Sequence, residues 1–389
     1  MEHGSPLALF SRGVLLIDIG SHSIGAAYVT VRDGDLVLCG ATRREFAKET
    51  LSDEIVRKRI ISGLPQLLVD MHSRYGRSAG VVLCINGIFA ISGSRSTDIT
   101  LDKSTSVNNA TLRPIIQSAI TSFYKEVLGA EQNDFSPLDT SLLSTRINGY
   151  EVADPIGKIA KSVGVTVYVT ATPISFLNDI KKAIGVEYHA SEISAHTSTY
   201  ALYRGMNDFF DSSDWLMVDA TGGVTEFVFV ENGTLSRVIS IPFGGHDFVD
   251  RVASQSLRDS ATIRADMALF YRNKLEGKRS AALRTAIVKT ARGVAGDIIK
   301  ALRKNTPAVL LPPHVAVVSH PWVAPLISAA LEDPIYIRES LGAIAPEISP
   351  VDSKWLTDHG VYFEDGRADV FLGLLALGTS RFKSGSIML

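Results

Sequence analysis

The chain is short of the residues that build covalently stapled or metal-stapled folds. Its 389 residues include only two cysteines, Cys39 and Cys84. Both stand in apolar, strand-like runs, as small core residues of a reducing compartment do. Two cysteines exclude a disulfide framework, and the nine histidines show no zinc-ligand spacing. No run approaches the roughly 20 apolar residues of a spanning helix. The longest, residues 370–377, is interrupted by Gly373 and reads as a buried helix. The opening stretch, residues 1–12, has no basic leader or long apolar core, so no secretory signal is expected. The formal charge of −2 gives no reason to expect a nucleic-acid partner. A Walker A sequence, a His-Glu-x-x-His zinc motif and a Gly-x-Ser-x-Gly elbow are all missing. These exclusions leave a cytoplasmic globular protein of two or more cores, with any membrane contact peripheral.

What is present is one pattern written twice. An apolar strand ends on Asp18 and runs into Ile19-Gly20-Ser21-His22-Ser23; a second ends on Asp219 and runs into Ala220-Thr221-Gly222-Gly223-Val224-Thr225. Each is followed by another apolar strand and a hairpin dipeptide, Asp33-Gly34 in the first copy and Asn232-Gly233 in the second. These dipeptides favour the positive φ of a tight two-residue turn. A third strand follows in both copies, residues 36–39 and 235–241.

The chemistry of such a pair points to phosphate. Turns of Gly, Ser and Thr let backbone N–H groups converge on an anion, and their hydroxyls add donors. An aspartate at each strand end can hold a hydrated Mg²⁺, which binds through carboxylates, waters and substrate phosphates. Two facing hairpins would clamp a polyphosphate between two domains.

Between and after the copies the pattern is α/β. Residues 53–73 and 108–128 carry apolar faces at helical spacing, residues 79–86 and 165–172 read as strands, and residues 142–147 form a strand turned by Asn148-Gly149. Residues 129–139 read as a loop. A helix over 173–184 would end on Gly185, and a second, over 191–205, would carry Glu192 in its first turn. Long helices are expected over 262–275 and 281–303, a buried strand over 315–318 and a helix over 325–331.

In this order the motifs resemble the actin-like ATPase superfamily, and more narrowly FtsA, a bacterial cell-division protein. Ile91-Ser92-Gly93-Ser94, Asp98-Ile99-Thr100, Asp154-Pro155-Ile156-Gly157 and Ile241-Pro242-Phe243-Gly244-Gly245 stand in the FtsA order. The opening, Leu9-Phe10-Ser11 leading to Asp18-Ile19-Gly20-Ser21, is similar to PilM, an adaptor of type IV pilus machines. The resemblance implies an actin-like, ribonuclease-H-like two-domain α/β fold with a small inserted α/β module in the first domain. It places the first domain at 12–86 and 171–212, and the insert at 87–170. The second domain is placed at 213–354, with a helical subdomain at about 247–309. A C-terminal helix returning to the first domain, with a short tail, takes 355–389.

The resemblance further implies ATP and Mg²⁺ in the cleft. Asp18, Gly20, Ser21, His22, Ser23, Asp219, Thr221, Gly222, Gly223, Thr225, Gly244 and Gly245 would meet the nucleotide phosphates. Asp18 and Asp219 would hold Mg²⁺ through water, Ser319 and His320 would lie on the adenine side, and Glu192 would orient the attacking water. It implies an adaptor that self-associates through its insert and binds an FtsZ-like tubulin homologue or division membrane proteins. The PilM alternative is an adaptor holding the cytoplasmic tail of a pilus inner-membrane protein. One departure bears on turnover: Ser319-His320-Pro321 stands where the superfamily has Thr-Gly-Gly. Proline removes a donor and stiffens the turn, so at most a weak ATPase is expected.

Overall fold

The computed structural model describes residues 9–46, 53–188, 192–210, 212–305, 311–338, 345–366 and 368–382. β1 (Val14–Ile19) is buried along its whole length, β2 (Ser23–Arg32) runs antiparallel to it, and β3 (Asp35–Glu45) follows. Asp33 and Gly34 sit at φ +54° and +93° between β2 and β3, the two left-handed residues that a tight hairpin requires. After α1 (Asp53–Tyr75), β4 (Gly80–Ile85) lies parallel to β1.

The chain then leaves this sheet for β5 (Ile91–Ser106), α2 (Asn109–Phe123), β6 (Phe135–Ile147), β7 (Tyr150–Glu151) and β8 (Ile159–Pro173). These form a separate four-stranded sheet in the order β5-β8-β6-β7. Its inner face packs on α2, which Asn108 and Thr111 start with a reciprocal capping box. This is the inserted module. α3 (Ile174–Tyr188), β9 (Ile193–Thr197) and α4 (Ser198–Met206) return the chain to the first sheet.

The second sheet repeats the first. β10 (Trp215–Asp219), β11 (Thr225–Glu231) and β12 (Thr234–Ile241) form the same antiparallel meander. Three helices follow, α5 (Gly245–Ser256), α6 (Ser260–Tyr271) and α7 (Gly277–Asn305). Then come β13 (His314–Val318), α8 (Ala324–Leu331), α9 (Pro334–Ile337), β14 (Glu347–Pro350) and α10 (Ser353–Asp358). Last are β15 (Val361–Phe363) and α11 (Val370–Ser380).

The first sheet has the order β15-β3-β2-β1-β4-β9 and the second β12-β11-β10-β13-β14. Without β15 the two orders are the same. Even the slips in register agree: the first hairpin shifts at Tyr28/Val29 and the second at Phe229/Val230. One core joins the halves. Leu16 and Val29 from the first sheet and Met217 and Val228 from the second share a buried cluster with α4 and α11.

Several expectations are corrected. The helix read as ending at Gly185 continues to Tyr188, with Gly185 inside it. The helix expected over 191–205 begins only at Ser198, because residues 193–197 are β9, paired in parallel with β4; residue 191 lies outside the described residues. Residues 135–139, read as loop, already belong to β6. α5, which follows the glycine pair, lies within the expected helical subdomain but was not read as a helix of its own. Of the C-terminal tail, residues 383–389 lie outside the described residues, as do residues 306–309 of the expected helical subdomain.

Candidate functional site

Asp18 and Asp219 close the central strand of each sheet, and both are buried, at 1% and 3% exposure. Parallel neighbours on one side and hairpin partners on the other bring the turns after them face to face. Within its turn, Asp219 Oδ1 accepts from the Thr221 N–H at 3.0 Å and its hydroxyl at 2.6 Å, a side-chain cap of the chain reversal. Burial, reinforced by the charge of Glu226, pushes the Asp219 carboxyl up to about 7.

The two turns are bonded to one another. The Gly223 N–H donates to Ser21 Oγ at 2.7 Å. A Cβ on Gly222 would land on that same hydroxyl, and one on Gly223 would land on the His22 ring. Behind them the Gly245 N–H donates to the Gly222 carbonyl at 3.0 Å, while Thr225 Oγ1 donates to the Phe243 carbonyl at 2.8 Å. Gly244 has no room for a side chain, because its Cβ would meet the backbone of Gly222. Gly20 closes its own turn, donating to the Ser23 carbonyl at 2.9 Å.

Asp18 has a cation already. Arg43, reaching in from β3, donates from Nη1 to Asp18 Oδ2 at 2.7 Å and to Ser23 Oγ at 2.8 Å. Its Nε donates to Asp369 Oδ2 at 2.7 Å, and Asp369 also caps α11 by accepting from the Leu372 N–H. Burial disfavours the guanidinium charge, but Asp369 and Asp18 outweigh this and raise its pKa. One cation cannot neutralise two acids: burial leaves the Asp18 carboxyl above the ordinary range, whereas Arg43 overcomes burial to hold Asp369 below it. Among the described residues, Asp18 Oδ1 and the Ser198 hydroxyl are both buried without a hydrogen-bond partner. Ser198 still moderates the Asp18 titration by its proximity.

The mouth of the cleft is also bridged. Arg264 lies 3.6 Å from Glu45, 2.7 Å from His246 Nδ1, and over the Trp322 ring. His320 stacks on Trp322, with ring centroids 5.1 Å apart, and His22 and His246 approach to 5.4 Å. Burial, with Arg264 adding to it, lowers the His246 pKa to about 4, and burial lowers that of His320. At the back, Glu226 of the second sheet accepts from Thr199 Oγ1 at 2.6 Å and packs where Gly87 has no side chain. Burial raises its pKa against those hydrogen bonds.

A scan against family models finds no match, and a search of curated proteins finds none. Solved structures do match. The PilM–PilN type IV pilus biogenesis complex superposes with a TM-score of 0.58 at 14% identity, over 94% of this chain and 98% of that one. This chain has the actin-like fold. The ethanolamine utilization protein EutJ from Carboxydothermus hydrogenoformans gives a TM-score of 0.44 at 11% identity, over 95% and 89% of the two chains. The cytoplasmic domain of EpsL, an inner-membrane component of the type II secretion system of Vibrio cholerae, gives 0.38 at 9% identity, over 94% of each.

The actin-like fold implies magnesium and ATP, and the cleft of this conformation does not fit them. The space between Arg43, Asn86, Gly222, His320 and Asp369 is about 220 Å³, below the roughly 300–1,000 Å³ of small-molecule sites. The turns that would receive phosphate receive each other. Arg43 already holds one carboxylate oxygen of Asp18 with a fixed positive charge. Ser319, His320 and Pro321 do line the cleft beside Asp18, Gly20 and Ser23.

Glu192 is not part of this actin-like cleft. It precedes β9 and meets Val81 at the start of β4, whereas Thr197 and Ile85 mark the cleft end. Five residues of strand separate the two ends, about 17 Å. The acid inside the interface is instead Glu226, the residue that follows the second motif. Arg43, Asp369, Glu226 and His246 were not singled out from sequence. Only Glu226 carried a local signal, standing directly after Thr225.

Proposed function

We propose that this chain is an adaptor of the PilM kind, working at the cytoplasmic face of a membrane-anchored pilus or secretion machine, with a cleft that no longer depends on nucleotide. The observation that carries the reading is the self-bonded cleft. Ser21 and Gly223 take one another where a phosphate would lie, and Arg43 stands as a fixed cation beside Asp18. An actin-like frame held shut by its own side chains suits a scaffold better than a motor. The likeness to PilM extends over 94% of this chain, a share too large to leave out the inserted module.

The insert offers the place for a partner. β5 is an edge strand, paired only with β8 among the described residues. Its far half, from Asp98 to Ser106, is mostly exposed. An unpaired edge can accept an extended tail by strand addition. One of the stretches that stand in the FtsA order is Asp154-Pro155-Ile156-Gly157. In the structure that stretch is a surface turn: the Ile156 N–H donates to Asp154 Oδ1 at 3.2 Å, and Gly157 takes φ +82°. Any chain reversing there could use it.

A photocrosslinker placed at Thr100 tests the reading in native cells. The expected product joins the chain to the cytoplasmic tail of an inner-membrane pilus or secretion protein. Capture of an FtsZ-like tubulin homologue instead would restore the division reading and overturn this one.

A further inference from the structure

The charge of the chain is unevenly spread. Residues 245–305 carry thirteen Lys or Arg against six Asp or Glu, whereas the whole chain carries 39 against 41. Everything outside this segment therefore has a net charge of −9. The surplus concentrates on α7, which has eight basic residues and a single acid, Asp297.

One side of α7 is fixed in the second core through Leu283, Ile287, Val294, Ile298 and Leu302. The opposite side exposes Lys278, Lys289, Arg292, Lys300, Arg303 and Lys304. At 100° per residue these six fall within about 120° of one another. Several cations of the segment, Arg292 of this face among them, have acidic partners. Arg258 and Arg279 hold the buried Asp266, Arg251 binds Asp297 at 2.6 Å, and Arg292 reaches Asp333 at 3.5 Å. Among the described residues, no acid stands at ion-pair distance from Lys278, Lys289, Lys300 or Lys304.

The surroundings select among anionic partners. A groove of about 910 Å³ lies between α5 and α7, with Lys289, Lys300 and Lys304 on one rim and Asp247 and Asp250 on the other. Those acids repel an acidic peptide lying in the groove but not a surface resting on the α7 rim. α7 has no aromatic side chain, so it lacks the stacking platforms of single-strand nucleic-acid binders. The free cations are lysines, point charges without the planar fork that recognises a single phosphate. Val288, 60% exposed, stands one turn from both Arg284 and Arg292, where an apolar side chain can enter a headgroup layer.

We propose that the exposed face of α7 rests on an anionic phospholipid membrane and holds the chain there by charge. The 29 residues of α7 give a contact about 43 Å long. Each lysine at such a surface strengthens partitioning about fivefold. The surface would bring the proposed adaptor to its membrane partner, and it rests on that reading only for its purpose.

Co-sedimentation of the full chain with lipid vesicles tests the proposal without any protein partner, so its failure is separate from failure of the adaptor reading. The vesicles are phosphatidylcholine alone, or phosphatidylcholine with about a third phosphatidylglycerol, at ionic strengths of about 0.1 M and about 1 M, where the screening length falls from about 10 Å to 3 Å. Binding should require phosphatidylglycerol and collapse at the higher salt. The triple variant Lys289→Gln, Lys300→Gln, Lys304→Gln should bind roughly a hundredfold more weakly. The corresponding triple change to Arg should keep binding, which separates lost charge from a lost fold. Equal binding to neutral vesicles, no binding to anionic ones, or full binding by the glutamine variant would overturn the proposal. So would capture by polyglutamate without vesicle binding, which would assign the face to an acidic protein.

Discussion

Arg43 decides the state of the cleft. Among the described residues it is the guanidinium that bridges Asp18 and Asp369, and removing it leaves the buried Asp18 and the partly buried Asp369 without that cation. Arg43→Ala should cost about 3 kcal/mol of stability, read from the urea midpoint at pH 7. Asp219 makes a pH-dependent contribution of definite sign. Its folded pKa of about 7 lies above the ordinary carboxylate value of about 3.9, so the folded state holds a proton that the unfolded state releases. That stabilisation is complete below about pH 4 and disappears as pH rises through about 7. Asp219→Asn should therefore flatten the fall in melting temperature between pH 4 and 7, and melt above the wild type at pH 8. The turn residues around both aspartates were legible because turn chemistry is local. Arg43 was not: its bonds to Asp18 and Asp369 span 25 and 326 positions, and nothing near it in the chain marks a strand arginine as buried.

Elements with a strong local signature were read correctly from the chain. Asp33-Gly34 and Asn232-Gly233 adopt the positive φ values their chemistry favours, and the apolar runs before Asp18 and Asp219 are fully buried strands. β9 was misread because Ile193-Ser194-Ala195-His196-Thr197 has little apolar content of its own. Its strand state comes from parallel pairing with β4, a tertiary preference that overrides local propensity. The start of α5 was not legible because it begins on glycine, which supplies no side-chain cap. Asp247 provides the missing acceptor from inside the helix, taking the Gly244 N–H at 2.9 Å. The contact of α11 with α4 is equally invisible in sequence. A Cβ on Gly378 would land on the Ala201 carbonyl, and one on Gly205 would come within 3.0 Å of the Leu374 carbonyl. Gly378→Ala should thus force the helices apart and cost about 1–3 kcal/mol, measured by thermal unfolding, although alanine is the better helix former in isolation.

At the scale of the molecule, the two sheets and their shared core are those of the actin-like fold, and the side chains between them close the cleft. A ligand held a hundredfold below its supplied concentration would stabilise the fold by about 2.7 kcal/mol. Millimolar ATP with Mg²⁺ should instead leave the melting temperature unchanged; a rise of several degrees would show that the cleft opens to accept nucleotide. The path of the chain through this architecture has a further consequence, in time. β15 pairs with β3, and α11 packs against α4, so the first half is completed by residues made long after it. At roughly 5–20 residues per second of synthesis, the apolar bed of α11 around Ala201 and Leu202 waits about ten to thirty seconds for its cover. A nascent chain halted near residue 300 should therefore hold a chaperone that seeks apolar surface, and release it only once residue 380 has cleared the ribosome.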